Sequence, residues 1–208
     1  MNIKCRIKTL FGIFFLKIRY PKITFKIIDN SEELEEMYRL IWQIYSLEKK
    51  YINQDRSSLE SLKDEYEKNA IKIGAFIDNN LVGTLRIILS SDEGFYVEKD
   101  FNVDLPKSSY AEMAELSRLV VAKEHRDGLI SVGLLKKALE ISKRKKIKYW
   151  IVVIPKEIKN YFTNSFGIRF YPIETKELTE KQIKIREKMS NYYITCAPTP
   201  YLINLMEI

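Results

Sequence analysis

The sequence predicts a single α/β domain in which helices flank a mixed, largely antiparallel central sheet. Stretches with strand character alternate with amphipathic helical stretches along most of the 208 residues. Two neighbouring strand stretches are joined by a short turn, which indicates an antiparallel pair, whereas later strands are separated by helices. The chain contains neither internal repeats nor a low-complexity linker that would divide it further.

The first half of the chain predicts a strand, a helix and a hairpin. Residues 24–29 (TFKIID) have a strand pattern, and Ser31 is a suitable cap for a helix that reaches about residue 50. Residues 57–69 are polar and are expected to form a mobile helix or loop. Residues 71–89 then predict two strands joined by an Asp-Asn-Asn turn.

The second half predicts alternating strands and helices. AELSRLVVA is a strand pattern, and residues 129–146 form an amphipathic helix with a basic end. YWIVVI at 149–154 is a buried strand that Pro155 terminates. The remaining predicted elements are a helix at 156–166, a strand at 168–173, a basic helix at 179–190 and a final strand near Tyr192–Cys196.

The N-terminal segment is strongly basic. Seven lysines and arginines precede the first acidic residue, Asp29, and they surround the apolar run LFGIFFL. That run is too short to span a bilayer, and no small-residue cleavage site follows it. We therefore expect a basic amphipathic segment at 1–22 ahead of a domain at 23–208. The segment either packs on the domain as a helix or lies on a membrane surface.

The composition excludes several kinds of site. One histidine and two distant cysteines, Cys5 and Cys196, argue against a zinc site and a disulfide framework, so we expect no metal and a reducing, cytoplasmic compartment. Seven glycines occur without a dinucleotide or Walker phosphate loop. The net charge of +7 favours an acidic partner. Because no nucleic-acid-binding motif is present, we expect that partner not to be nucleic acid.

Three charged residues lie within apolar, strand-like stretches. Arg86 lies in GTLRIIL, and Glu115 and Arg118 lie in MAELSRLVV. Because an unpaired buried charge costs several kcal/mol, we expect Arg86 to pair with Glu115 across adjacent strands. Arg118 would lie on the opposite face from Glu115 unless a β-bulge redirects it. These charges are either structural ion pairs or the centre of an active site.

The order of three motifs resembles a known group of acyltransferases. VGTLRIIL (82–89), AELSRLVV (114–121) and HRDG (125–128) are similar to motifs of the acyl-homoserine-lactone autoinducer synthases, the N-acyl amino acid synthases and the PEP-CTERM/exosortase-associated acyltransferases. All of these have the GNAT superfamily fold. The resemblance covers roughly residues 25–170. It implies a GNAT-like sheet and transfer of an acyl group from a thioester to an amine.

The resemblance also implies which residues bind the acceptor. The acidic pair of the family falls on Asp64 and Glu67, which would bind the acceptor ammonium, and the family arginine of the first helix is replaced by Ile41. Glu115 is the candidate base, with Arg118 as the second catalytic residue. Arg118 or Arg86 would hold an acceptor carboxylate. The residues assigned to substrate binding are Arg39, Tyr45, Asp64, Glu67 and Arg86.

The loop that would receive the donor departs from the GNAT pattern. Coenzyme A loops carry small residues so that backbone N–H groups can approach a pyrophosphate, but here the sequence is Arg-Asp-Gly-Leu-Ile. This departure favours an acyl carrier protein, which presents phosphopantetheine without the nucleotide. We assign acyl-thioester binding and the oxyanion contacts to Val120, Val121, Arg126 and Gly128. We assign docking of an acidic carrier to Lys143, Arg144, Lys145 and Lys146.

Together these observations predict an N-acyltransferase without a tightly bound cofactor. It would move a fatty acyl group from acyl carrier protein, or else from coenzyme A, to the amine of an amino acid or a derivative. One alternative is a homoserine-lactone synthase that uses S-adenosylmethionine. Another is a non-catalytic basic protein associated with membrane or nucleic acid. The expected location is the cytoplasm or the inner face of the membrane.

Overall fold

The computed structural model describes residues 14–52, 59–187 and 190–208. The strands of its main sheet are β1 (Thr24–Ile27), β2 (Ala70–Ile77), β3 (Asn80–Leu89), β5 (Met113–Val121), β6 (Tyr149–Ile154), β7 (Tyr171–Pro172) and β9 (Thr199–Asn204). They are ordered β1-β2-β3-β5-β6-β9-β7. In the described chain, β5 and β6 are the one parallel pair. The predicted mixed, largely antiparallel sheet is confirmed.

Helices cover this sheet on both faces. They are α1 (described over residues 14–19), α2 (Ser31–Trp42), α3 (Tyr96–Asp100), α4 (Leu129–Arg144), α5 (Lys156–Phe166), α6 (Glu180–Glu187) and α7 (Ser190–Cys196). A π-helix, Gln43–Glu48, continues α2, and a small sheet pairs β4 (Asn102–Val103) with β8 (Thr175–Lys176). Within the described ranges, no helix is long and apolar enough to cross a bilayer.

Local sequence signals explain where several elements begin and end. The side chain of Asn30 accepts a hydrogen bond from the backbone N–H of Glu33, so the cap of α2 lies one residue before the predicted Ser31. Asp78 and Asn79 adopt left-handed φ angles of 48° and 68°, which give the tight turn between β2 and β3 the twist that the strands require.

A β-bulge and a divergence of strands shape the middle of the sheet. Thr84 pairs with Val120 and Arg86 with Ser117, so β5 carries one extra residue, and Arg118 has a φ of +54°. The bulge that we considered for Arg118 is present. The pairing of β5 with β6 ends at Leu116, although β5 continues to Val121. The two strands therefore diverge at their C-terminal ends; we call this gap the splay.

The helix α4 packs closely on the sheet, together with part of the N-terminal segment. A Cβ atom on Gly133 would clash with the ring of Phe25 from β1, so only glycine permits this approach. Leu16 and Tyr20 are buried in the same core cluster as α4. The segment predicted at 1–22 thus contributes two residues to the core, whereas residues 1–13 lie outside the described chain.

The C-terminal part differs from the prediction. A final strand near Tyr192–Cys196 is wrong, because this stretch is helix α7 and the last strand is Thr199–Asn204. Pro200 lies inside that strand opposite Val153, and proline usually argues against a strand. The strand predicted at 168–173 is reduced to two paired residues. Helix α3 and the small sheet were not predicted.

Candidate active site

An ion cluster of two arginines and two carboxylates lies beside the bulge. Nη1 of Arg86 is 2.7 Å from Asp64 and 3.1 Å from Glu67, and Arg118 is 3.0 Å from Asp64 and 2.8 Å from Glu67. The side chain of Arg86 is only 2% exposed, and its Nε donates to Ser117. The structure brings together all four of these predicted site residues, and their formal charges cancel.

The backbone around the cluster holds its members in place. The side chain of Asp64 accepts from the N–H of Tyr66 and so caps the turn Glu65–Asn69, which carries Glu67. Arg118 also donates to the carbonyl of Leu62. Each arginine thus donates to carboxylate, hydroxyl or carbonyl oxygens of the protein itself. The β-bulge turns the side chain of Arg118 towards these oxygens.

The charges of the cluster stabilise the ionised form of Glu67. Burial raises the pKa of this carboxyl, but Arg118, Lys72 and the hydroxyl of Tyr38 together lower the pKa to about 2. Lys72 contacts the second carboxylate oxygen of Glu67 at 2.9 Å. Glu67 is therefore an anion throughout the neutral range.

Glu115 is buried close to this cluster but is not part of it. Its Oε2 accepts from the backbone N–H of Val97 at 3.0 Å, and no ion pair reaches it within the described residues. The predicted Arg86–Glu115 ion pair is therefore wrong, because the loop before β2 supplies the partners of Arg86. Burial raises the pKa of Glu115 to about 8, and the nearby charge of Arg86 offsets only part of this effect.

A cavity of about 220 Å³, which we call the polar pocket, opens in front of these groups. Its wall combines charged residues with tyrosines from α7, α3, the π-helix that continues α2 and the residues just after that π-helix. The charged residues are Lys63, Asp64, Arg86, Asp100, Glu115 and Arg118, and the tyrosines are Tyr45, Tyr51, Tyr96, Tyr192 and Tyr193. Tyr45, which we predicted to bind substrate, thus lines this pocket.

A second cavity, of about 170 Å³, lies on the other side of the splay. Its wall is almost wholly aliphatic and aromatic and comes from β5, β6, α4, α5 and the C-terminal strand; Leu119, Trp150 and Phe162 are examples. We call it the apolar pocket. Leu116, the last residue of β5 that pairs with β6, lines both cavities. The two pockets therefore meet one residue away from Glu115.

The predicted donor loop is tied to the rest of the domain. Arg126 donates through Nη2 to Glu48 at 2.7 Å and through Nε to the carbonyl of Val121 at 2.8 Å. Asp127 accepts from the N–H of Leu129, and its other oxygen accepts from the hydroxyl of Tyr20 at 2.8 Å. A carboxylate thus occupies the N-terminus of α4.

The other predicted donor residues lie around this loop. Gly128 has a φ of +86°, and a Cβ there would lie 2.7 Å from the hydroxyl of Tyr161. Glycine is therefore required at this position. Val120 and Val121 pair with β3. They form the last part of β5, where β5 has separated from β6.

Two predicted groups are not brought to the pockets. Arg39 is exposed and pairs with Glu35 one turn away on α2, so it does not line the polar pocket. The basic residues 143–146 are exposed at the C-terminal end of α4. The 16 residues of this helix place them roughly 24 Å from Gly128, at the end of the sheet opposite the splay.

The sequence analysis missed several residues of the polar pocket. Asp100 is 4% exposed and lies at the end of the five-residue helix α3, which is too short to have a detectable period. Tyr192 and Tyr193 were assigned to a strand. Ser117 accepts a hydrogen bond from Arg86. In the sequence, only its position within the motif ELSR indicated that it has a role.

Solved structures share this architecture over most of their length. FeeM, an N-acyl amino acid synthase from uncultured soil microbes, matches with a TM-score of 0.57 at 14% identity, covering 89% of this chain and 91% of that chain. The acyl-homoserine lactone synthase LasI matches with a TM-score of 0.60 at 16% identity, covering 88% of this chain and 90% of that chain. A GNAT-family acetyltransferase from Staphylococcus aureus MU50 matches with a TM-score of 0.53 at 21% identity, covering 88% of this chain and 99% of that chain. These similarities establish the GNAT fold.

The fold and the family match define the class of protein: it is an N-acyltransferase with the GNAT fold. Residues 36–174 match the family model described as N-acyl amino acid synthase FeeM. The chain belongs to this FeeM family of N-acyl amino acid synthases. No curated protein matches the sequence.

Proposed function

We propose that the protein transfers a fatty acyl group from a carrier-bound thioester to the amine of an amino acid or a derivative. The observation that carries this proposal is the meeting of an apolar and a polar pocket at Leu116, beside the buried Glu115. The apolar pocket suits an acyl chain, because its burial there removes apolar surface from water. The polar pocket suits the acceptor, and the reacting carbonyl would lie at the splay between them.

Glu115 is the proposed base in this reaction. The acceptor enters as an ammonium and must lose a proton before its nitrogen attacks the thioester carbonyl. A carboxyl whose pKa is about 8 accepts that proton more readily than an ordinary glutamate would. The C–N bond forms and the C–S bond breaks. The nitrogen loses its second proton, which the departing thiolate takes up, so that the carrier leaves as a free thiol. Backbone N–H groups near Val120 and Val121 are the proposed donors to the oxyanion.

The donor loop supports a carrier protein rather than free coenzyme A. The carboxylate of Asp127 accepts from the N–H of Leu129 at the start of α4, where a pyrophosphate would otherwise bind, and the carboxylate would repel it. Arg126 is already paired with Glu48. A phosphopantetheine arm alone avoids this repulsion. The test compares turnover of one acyl group presented on carrier protein and on coenzyme A. Equal or faster turnover with acyl-coenzyme A would overturn this assignment.

We propose that an acidic carrier docks at the splay end of the molecule. Exposed Lys123 follows β5 and exposed Lys156 follows β6, so both lie near the mouth of the gap through which the arm must enter. The predicted docking residues, Lys143 to Lys146, lie at the opposite end of α4. Attraction between the lysines and an acidic carrier would raise the association rate.

The helix α1 supports a peripheral position on an anionic membrane. Phe14, Phe15 and Ile18 are 60%, 54% and 61% exposed, and the neighbouring Lys17 and Arg19 are exposed as well. Such a mixture of large apolar and basic side chains suits the interface of an anionic lipid surface. A fatty N-acyl product would enter the same surface.

Product identification tests the proposed function as a whole. The purified protein is incubated with acyl carrier protein thioesters and a set of amino acids, and products are measured by mass spectrometry. We expect N-acyl amino acids that are absent with Glu115→Gln. Acyl-homoserine lactone formed from S-adenosylmethionine, or no acyl transfer from any thioester, would overturn the proposal.

A further inference from the structure

The ion cluster leaves the polar pocket without an obvious partner for an anion. Arg86 and Arg118 both direct their guanidinium groups at Asp64 and Glu67, and Lys72 also pairs with Glu67, so each of these cations already has a carboxylate partner. Lys63 lies over the ring of Tyr38, 5.8 Å from its centre. An acceptor carboxylate would have to displace one of these contacts. The remaining charged groups of the pocket wall are two carboxyl groups, Glu115 and Asp100.

Asp100 has an unused hydrogen-bonding atom in this wall. The side chain is 4% exposed, and one carboxylate oxygen accepts from the hydroxyl of Tyr193. The other oxygen, Oδ1, has no hydrogen-bond partner within the described chain. Arg186 is close, but its Nε donates to the backbone carbonyl of Asp100 and not to the carboxylate. A buried acceptor atom without a partner is costly unless a ligand satisfies it.

The rest of the wall also suits a cation. Tyr192 and Tyr193 lie edge to face, with ring centres 5.4 Å apart, and Tyr51 contacts Tyr192 in the same way at 5.0 Å. Aromatic faces and hydroxyl oxygens both attract cations. Burial raises the pKa of Asp100 to about 6, and the charge of Asp100 in turn raises the pKa of Glu115. A cation bound at Asp100 would offset the negative charge of its carboxylate.

We infer that the acceptor carries a second cationic group besides the amine that is acylated, and that Asp100 binds this group through its unpaired Oδ1. The acceptor class is therefore a basic amino acid or a diamine. This inference rests on the proposed function and names the substrate class of the same site. Asp100 is a specificity-determining residue, and Glu115 remains the proposed base.

The test compares two amino acids that differ only in the second cation. Lysine and norleucine share the α-amine, the α-carboxylate and a four-carbon side chain, but only lysine carries the ε-ammonium. With full-length protein and a carrier-bound acyl donor, we expect kcat/KM for lysine to exceed that for norleucine by about 10- to 100-fold, as for a charge-assisted hydrogen bond. Diaminopentane against pentylamine repeats the comparison without the carboxylate.

The variant Asp100→Asn keeps the shape of the side chain and removes its charge. We expect it to bring the two kcat/KM values close together, because kcat/KM for lysine should fall much further than kcat/KM for norleucine. Asp104→Asn is the matched control, because Asp104 is an exposed aspartate paired with Lys176, and it should retain the preference for lysine. A lysine preference that persists in Asp100→Asn overturns the role of Asp100.

Two further outcomes separate this inference from the proposed function. Equal or faster turnover of norleucine by the wild-type protein overturns the inference and leaves the acyltransferase intact; this measurement needs no variant. If no acceptor is acylated, the proposed function fails. Calorimetric binding of lysine and norleucine in the absence of donor still tests the inference then, and equal affinities overturn it.

Discussion

Glu115 is a buried carboxyl whose chemistry and packing can be separated by a single substitution. Glu115→Gln keeps the shape and can still accept from the N–H of Val97. We expect kcat to fall by about 10²- to 10⁴-fold, because the proton acceptor is lost. The melting temperature should change little, because at neutral pH Glu115 is already mostly protonated.

Steady-state kinetics and thermal unfolding measure these two effects. Glu112→Gln is the control. Glu112 lies just before the start of the same strand, is more exposed than Glu115 and forms an ion pair with Lys148. A Glu115→Gln protein that melts early but keeps near-normal kcat would show that Glu115 has only a structural role.

The raised pKa of Glu115 also predicts how activity depends on pH. The base must be deprotonated in the free enzyme, so kcat/KM should rise with pH and level off above about 8. The stability of the fold has the opposite dependence on pH. Between pH 4.5 and 8, Glu115 holds a proton in the folded chain, but the same carboxyl in the unfolded chain, with a pKa near 4.5, has released it. This contribution to stability is complete below 4.5 and is lost as pH rises through about 8. A kcat/KM profile that is flat across this range would contradict the assignment.

Arg86 is expected to be essential for the fold, because its loss leaves two partly buried carboxylates with less compensation. Arg86→Ala should lower the free energy of unfolding by about 3–5 kcal/mol. Arg39→Ala is a matched control with the same chemistry, since Arg39 pairs with Glu35 in solvent, and it should change stability by less than about 0.5 kcal/mol. Chemical denaturation measures both, and similar values for the two variants would refute the prediction.

At the residue scale, the sequence predicted which charges need partners but not every partner. Apolar neighbours around Arg86, Glu115 and Arg118 indicated burial, and the family resemblance added Asp64 and Glu67. The pairing of Arg86 with Glu115 was wrong because it assumed that the partner of a buried charge lies on the adjacent strand, where the register places Ser117 opposite Arg86. The actual partners come from a turn about 20 residues earlier, and the position of that turn depends on tertiary packing.

At the element scale, we proposed that the donor enters at the splay, and charge reversal tests where the carrier docks. We expect Lys123→Glu with Lys156→Glu to raise KM for acyl carrier protein by about 3- to 10-fold and to weaken its salt dependence. The triple reversal of Lys143, Arg144 and Lys146, at the far end of α4, should leave KM nearly unchanged. The reverse result would support the docking surface predicted from sequence.

Helices and strands with strong local sequence signals were predictable. Those whose conformation depends on packing against other parts of the chain were not. The strand at 149–154 and the helix at 156–166 have the predicted boundaries, because an apolar run, Pro155 and Gly167 define them. The stretch Tyr192–Cys196 has the composition of a strand but packs as a helix over the polar pocket. Tertiary contacts overrode its local preference.

At the scale of the whole molecule, α1 has one face in the core and one face in solvent. We expect replacement of Phe14, Phe15 and Ile18 by serine to weaken binding to anionic vesicles while the melting temperature is unchanged, because these side chains are exposed. Vesicle sedimentation measures the binding. Undiminished binding by the triple variant would refute the membrane role.

The inward face of α1 supplies the contrasting substitution. Leu16→Ala should lower stability by about 2–5 kcal/mol, because Leu16 is buried in the main core, and should leave vesicle binding of the folded protein intact. The overall fold class was predictable because strand and helix periods alternate along the chain. Packing of α1 on the domain was one of two alternatives that the sequence left open, because a contact such as that of Tyr20 with Asp127 joins residues far apart in the chain and leaves no local pattern.

If the two proposed substrates fill the two cavities, they are neighbours that share Leu116 as a wall residue. We expect the way in which one cavity is filled to affect the other, because Leu116 lines both. Any gain in acceptor affinity that a well-fitting acyl chain produces must be returned equally as a gain in donor affinity when the acceptor is bound. Under the proposed function, chain-length selectivity and acceptor selectivity would then be linked: an acyl chain that fits badly would also weaken the recognition of the amine.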